Sequence, residues 1–268
     1  MPVNPVRVTR EAIIKIYRQS MGAVGAPIEY GYRGGTMDAL DRVHTLTFDV
    51  FGTILDLGGS LTPFLADFLQ RKGSDLPPAE VWSRYRYRQR IEQYQDNLLM
   101  MGHPGYLDST RRALMYVLRA ARVPLDDGEI AELMGAWQQL EPFPEAVDGL
   151  KRLKGRFRLV VLSNGEPQFL DHLVKNRIGF DFDAVLSVNR VGAFKPHPGV
   201  YRMAMRELSA EPQELLMVSA NSFDVMGARS CGLRGAYVDR YSLPFEETPF
   251  RPDLVVRDFT ELAEYLGT

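Results

Sequence analysis

Apolar and polar positions follow two different rhythms along this chain. In the first half, after a short run "HTLTFDVFGTILDL" from His44 to Leu57, the repeats are helical. "SLTPFLADFL" carries Thr62 and Pro63, which predict a helix start with Thr62 as N-cap and Pro63 at the first helical position. From Pro78 to Met101, Tyr87, Ile91, Tyr94 and Leu98 fall on one helix face. Two more helices are predicted, Tyr106 to Ala121 and Asp127 to Leu140. From Pro144 onward short Val/Leu/Met-rich runs alternate with helical segments. The runs are Arg158 to Ser163, Ala184 to Val188, Leu215 to Ser219, Ala236 to Val238 and Leu254 to Val256.

Strand and helix in alternation predict an α/β fold, a parallel sheet covered on both faces. The division expected is a core from residues 44–57 and 145–268, with an all-helical insertion at 58–144. Residues 1–43 stand apart, with one predicted short helix (Thr9 to Met21) before a Gly-rich passage. Because Met37 lies just ahead of the first strand, residues 1–36 are expected to be a dispensable arm or the result of an upstream start codon.

Composition narrows the partners. Lys+Arg 32 against Asp+Glu 34 gives a net charge of -2, and no segment gathers the positive charge that a nucleic-acid binder needs. No apolar run has the length of a membrane span, and the single Cys231 forms no internal disulfide, so a cytoplasmic protein is expected.

Parallel sheets hold their ligands outside the strands' carboxyl ends. Three predicted strands run into "FDVFGT", "LSNGEP" and "VSANSFD", and "FKPHPGVY" lies between the second and third of these. Together they assemble Asp49, Thr53, Ser163, Asn164, Lys195, Ser219, Asn221 and Asp224: two carboxylates, one ammonium and several neutral hydrogen-bonding groups. Taken singly, Asp49 suits a turn, Ser163 and Ser219 suit helix caps, and Lys195 suits a solvated loop.

The combination resembles the haloacid dehalogenase superfamily, whose four motifs are matched in order by Asp49 with Gly52-Thr53, Ser163-Asn164, Lys195-Pro196, and Ser219 to Asp224. The resemblance implies a Rossmann-like core flanked by helices, with the helical insertion as a cap. Phosphatases of this superfamily carry a second Asp two positions after the nucleophile; here Phe51 stands there, and a phenyl ring donates no proton. Ser219 likewise replaces an acid that would hold Mg²⁺. Halide departs without a proton, so the wording "LSNGEPQ", "KPHPGVY" and "SANSFDVMGAR" is more similar to the L-2-haloacid dehalogenases.

That resemblance implies a small 2-halo carboxylate and water as substrates, with no metal or cofactor. Asp49 would be the nucleophile, Asp224 would activate water, and Lys195 would balance both carboxylates. Thr53, Ser163, Asn164, Ser219 and Asn221 would hold Asp49, the substrate and the water, and Tyr201 would hydrogen-bond among them. Phe51 and Phe223 would line the apolar part of the pocket. The halide nest of the family uses an arginine directly after a Trp; here Ser83 follows Trp82, with Arg84, Arg86 and Arg88 close behind. Arg84 and Arg88 share a face from which either could substitute, Arg84 being the candidate, although such arginines more commonly make a solvated face. Pairing through the cap as a homodimer is implied as well. The competing readings are a hydrolase of another activated carboxylic acid, a Mg²⁺-dependent phosphatase, and a non-catalytic protein that kept the fold.

Overall fold

A computed structural model describes residues 40–268. The predicted helix at Thr9 to Met21 and the arm at 1–36 lie outside the described residues. The main sheet has six parallel strands in the order β5-β4-β1-β6-β7-β8: β1 Thr45–Phe48, β4 Arg158–Ser163, β5 Ala184–Ser187, β6 Leu215–Ser219, β7 Arg234–Val238 and β8 Leu254–Val256. Every residue of β1 and β6 is buried, as strands covered on both faces require. Predicted strands at 158–163, 215–219 and 254–256 match, whereas β5 stops one residue early at Ser187 and β7 starts two early at Arg234.

Register places the chemistry. Phe48 pairs with Val161 on one side and Val218 on the other, so the loops after β1, β4 and β6 leave the sheet at one level. Chain order reverses about β1, with β4 and β5 to one side and β6 to β8 to the other, and such a reversal opens a crevice at the strand ends. Helices α5 (Ala146–Lys154), α6 (Pro167–Leu173), α7 (Pro198–Leu208), α8 (Ser222–Ser230) and α9 (Phe259–Tyr265) come from the connections between these strands and the chain end.

Between β1 and β4 the chain makes a short antiparallel pair, β2 (Leu55–Asp56) with β3 (Glu141–Pro142), and inserts four α-helices within it. These are α1 (Leu57–Arg71), α2 (Pro78–Leu98), α3 (Tyr106–Ala120) and α4 (Asp127–Gly135), the last running on as a 3₁₀ turn over Ala136–Gln139. The two-stranded stem was not expected in a segment that reads as wholly helical.

The predicted start of α1 is corrected. Asp56 is the N-cap, its Oδ1 accepting from the Gly59 N–H at 2.9 Å, and Thr62 and Pro63 lie within the helix. Proline lacks an N–H, so the Gly59 carbonyl has no donor four residues on, but an Asx cap one turn earlier had already started the helix.

The face that Tyr87, Ile91, Tyr94 and Leu98 share on α2 is not its buried one. Tyr87 is 70% and Leu98 81% exposed, while Trp82, Tyr85, Gln89, Glu92, Gln93 and Asp96 are buried. The inward face is polar because it roofs a polar site and because α3 supplies a compensating cation: Arg112 pairs with both Glu92 and Asp96. Periodicity found the helix and left open which of its faces is buried.

Candidate active site

Asp49 follows the last residue of β1, and its backbone N–H still donates to the Val218 carbonyl at 3.0 Å. That bond ties the first loop residue to the sheet and fixes where its carboxylate emerges. Oδ2 accepts from Thr53 Oγ1 and from Asn221 Nδ2, both at 2.8 Å; Oδ1 accepts from Lys195 Nζ at 2.9 Å. Thr53 Oγ1 in turn accepts from the Ala220 N–H at 2.9 Å, which joins the first and fourth loops through one hydroxyl.

Lys195 is 1% exposed. Its three ammonium hydrogens have three acceptors, namely Asp49 Oδ1, the Leu162 carbonyl at 2.8 Å and Asp224 Oδ2 at 2.6 Å. Burial alone would lower its pKa, but Asp224 and Asp49 outweigh this and raise it above 10.5. Asn164 Oδ1 accepts from the Lys195 backbone N–H at 2.8 Å and holds the lysine loop against the second motif.

Asp224 is fully buried, with Oδ2 on Lys195 and Oδ1 accepting from the Tyr201 hydroxyl at 2.8 Å. Burial raises its carboxyl above 3.8, the Asp49 charge pushes the same way, and Lys195 and Tyr201 pull against them. Tyr201 reaches it because Gly227 lies alongside: a Cβ there would fall 2.6 Å from the Tyr201 hydroxyl.

A pocket opens over Asp49, lined on the core side by Phe51, Asn164, Lys195, Asn221 and Phe223 and on the helical side by Arg86, Gln89, Arg90, Gln93 and Tyr106. Phe51 stacks on Tyr106, ring centres 4.0 Å apart and 8° from parallel. Arg90 donates to Asn221 Oδ1 at 2.9 Å and lies over the Phe223 ring, 5.0 Å from its centre.

The structure brings Asp49, Thr53, Lys195, Asn221, Asp224, Tyr201 and Asn164 into one network, with Phe51 and Phe223 at the pocket wall. Several expectations change. Arg84 does not line the pocket; it is exposed and pairs with Glu80 one turn earlier on α2. Arg88, on the same face as Arg84, pairs with Glu92 and covers Tyr116. Ser163 and Ser219 do not reach the pocket: their hydroxyls accept from the N–H groups of Gly165 and Asn221, the turn-capping role open to any serine. Tyr201 and Asp224 sit behind Lys195 and not on the pocket surface.

Sequence reasoning missed Gln89, Arg90, Gln93 and Tyr106. A signal existed, since Arg86, Gln89, Arg90 and Gln93 follow the i, i+3, i+4, i+7 spacing of one helix face. Arg240 was missed too. Nearly buried, it donates twice to the Thr53 carbonyl, at 3.0 and 2.8 Å, and pairs with Glu145 beyond the β3 stem. It therefore braces the loop that carries Asp49.

Residues 43–232 match the family model for a haloacid dehalogenase-like hydrolase. The chain belongs to that family. Within it, this haloacid dehalogenase-like hydrolase is 34% identical over 204 residues to the (S)-2-haloacid dehalogenase of Xanthobacter autotrophicus, covering 75% of this chain and 76% of that one. Its fold superimposes on the L-2-haloacid dehalogenase RSc1362 with a TM-score of 0.78 at 28% identity, over 84% of this chain and 99% of that one. It also matches the Xanthobacter autotrophicus L-2-haloacid dehalogenase with chloropropionic acid covalently bound, at TM-score 0.71 and 27% identity, over 84% of this chain and 98% of that one. Among the described residues no helix is long and apolar enough to cross a membrane, and no three His, Cys, Asp or Glu side chains cluster as metal ligands.

Proposed function

We propose that this chain hydrolyses small 2-haloalkanoic acids to 2-hydroxy acids and halide through an ester on Asp49. The observation that carries the reading is the seat of the Lys195 ammonium between Asp49 and Asp224, at 2.9 and 2.6 Å. A cation of the protein's own neutralises the two carboxylates that a phosphatase of this fold would offer to Mg²⁺. Phe51 leaves no general acid for an alkoxide, which a departing halide does not need. The covalently bound chloropropionic acid in a structural relative supports the same route.

Geometry assigns the two oxygens of Asp49 different work. Oδ2 already accepts two hydrogen bonds, while Oδ1 accepts one and keeps a lone pair free. Oδ1 therefore attacks the halogen-bearing carbon as the carbon–halogen bond breaks and halide leaves with the bonding pair. Oδ2 becomes the ester carbonyl oxygen, and when water adds to Cγ its developing charge falls on the Thr53 hydroxyl and the Asn221 amide. The product carries Oδ1 away as its hydroxyl oxygen, and the water oxygen stays in Asp49.

Asp224 takes the proton of that water. It lies behind Lys195 with a spare lone pair on each oxygen beside the bond to Lys195 or Tyr201, and apart from Asp49 itself no carboxylate or histidine lines the pocket among the described residues. The proton therefore reaches Asp224 through the Lys195 ammonium, which passes one proton to Asp224 and takes one from the water. Its raised pKa makes it a stronger base than a solvated aspartate. Arg90, with no carboxylate within ion-pair distance among the described residues, holds the leaving halide, which takes over the part expected of Arg84. In this reading residues 58–144 act as the cap over a core of 44–57 and 145–268. The protein works in the cytoplasm, consistent with its single cysteine, and pairs as a homodimer through exposed Leu98, Leu99, Met100 and Met101 on the cap.

Single turnover of 2-chloropropionate in ¹⁸O-water tests the route. The label is expected in Asp49 by mass spectrometry of the peptide, and label found only in the lactate overturns it.

A further inference from the structure

The pocket side of α2 holds a group that the reaction above does not use. Gln89 is 1% exposed and lines the pocket. Its Oε1 accepts from Arg86, whose guanidinium also reaches the Tyr106 hydroxyl at 3.4 Å, so the amide is turned one way. Its Nε2 comes near the Tyr106 hydroxyl but completes no hydrogen bond with any described residue. A buried amide nitrogen that lacks a partner in a residue lining the pocket is suited to an acceptor that arrives with the ligand.

The rest of the pocket shows why that acceptor is needed. A substrate carboxylate must find donors, and Lys195 has none to spare because all three of its hydrogens are engaged within the core. The hydroxyls of Ser163 and Ser219 do not reach the pocket. On the core side that leaves the Asn164 amide, whose Oδ1 is already engaged, and the remaining side-chain donors stand on the helical wall. That same wall carries no aliphatic side chain: Arg86, Gln89, Arg90 and Gln93 face Asp49, with Phe51 and Phe223 already covered by Tyr106 and Arg90. An alkyl branch on the substrate would press against amide and guanidinium groups and strip their hydrogen-bonding partners without replacing them.

Resting on the dehalogenase reading, we propose that Gln89 is a specificity-determining residue whose Nε2 donates to the substrate carboxylate, and that the site selects haloacids unbranched at C2, the haloacetates, over longer 2-haloalkanoates.

The test compares wild type, Gln89→Leu and Gln89→Glu on chloroacetate and (S)-2-chlorobutyrate, with calorimetric binding of glycolate and 2-hydroxybutyrate as a readout that needs no turnover. Wild type is expected to favour chloroacetate by about tenfold or more in kcat/KM, and glycolate by a similar ratio in affinity. Gln89→Leu should raise KM for chloroacetate about tenfold and bring the two substrates level. Gln89→Glu, which keeps the shape and the bond to Arg86 but loses the donor, should bind neither acid well. Equal loss on both substrates in Gln89→Leu, wild-type preference for the branched acids, or no binding of either hydroxy acid overturns the proposal. Glycolate preference without halide release from any substrate sinks the dehalogenase reading and leaves the selectivity standing. If neither variant folds, the wild-type glycolate preference alone decides.

Discussion

Arg90 on α2 donates to Asn221 Oδ1 at 2.9 Å, and the opposite end of the same amide donates to Asp49 Oδ2 at 2.8 Å. A cap side chain and the nucleophile are thus joined through one planar group. Anything that pulls on Arg90, a bound halide included, is felt at Asp49.

Replacing Arg90 with Met should therefore cost twice, through loss of a cation for the leaving group and through a slackened Asn221. A charged hydrogen bond lost at about 1.5 to 3 kcal/mol corresponds to a fall in kcat/KM for halide release of roughly ten- to hundredfold. Arg84→Met should stay within about twofold of wild type, because its exposed pair with Glu80 contributes little. Steady-state chloride release from chloroacetate measures both.

Tyr201→Phe tests the base. The tyrosine hydrogen bond favours the ionised form of Asp224, so its loss should lift an already raised carboxyl further. Asp224 must be ionised to accept a proton, and activity is lost as pH falls through its pKa. The acid limb of the kcat profile should shift to higher pH by about one unit in the variant. An unmoved limb would mean that Asp224 is not the group that titrates.

Lys195 makes a prediction about stability. Its folded pKa lies above 10.5, so its contribution is fully present below that value and is lost as pH rises through the folded pKa. Wild-type Tm should hold up to about pH 10.5 and then decline with this group's titration. Lys195→Met leaves two buried carboxylates facing each other, at a cost of about 3 to 5 kcal/mol near neutral pH, and should lose that alkaline transition. Scanning calorimetry across pH 8 to 12 (about the range where lysine titrates) checks both.

Asn97 docks the carboxyl end of α2 on the lysine loop. Its amide donates to the Phe194 carbonyl and accepts from the Phe194 N–H, both at 2.8 Å, one residue before Lys195. His103 adds a contact from its ring to the Asn164 carbonyl at 2.9 Å, and burial lowers its pKa. Asn97→Ala should destabilise by about 1 to 3 kcal/mol and speed amide exchange at Phe194, whose N–H loses its acceptor. Unchanged exchange there would show that the loop is held without the cap.

Much of the core could be read directly from residue order. Strands β4, β6 and β8 could be placed to the residue because continuous Val/Leu/Met runs closed by polar groups have few other uses in a chain with helices between them. Asp49 and Asn221 were legible from their place just after parallel strands, and Lys195 and Asp224 from the order of motifs that resembles the family. The cap was legible as helices but not as surfaces. Tyr87 and Leu98 share a face of α2 and lie exposed, since helical period reveals which residues share a face and not what that face meets.

Local sequence thus determined the order of elements, the sheet's composition and the carboxylate–lysine set, all of which follow from short-range pattern and from strand ends. Tertiary structure alone decided which arginine lines the pocket over the nucleophile, that Ser163 and Ser219 turn back onto their own loops, and that Gln89 lines the pocket with its amide nitrogen unpartnered. The first and last of those outcomes depend on the rotation of α2 about its axis, to which the pairing of Glu92 and Asp96 with Arg112 on the neighbouring helix contributes. No window along the chain contains that contact.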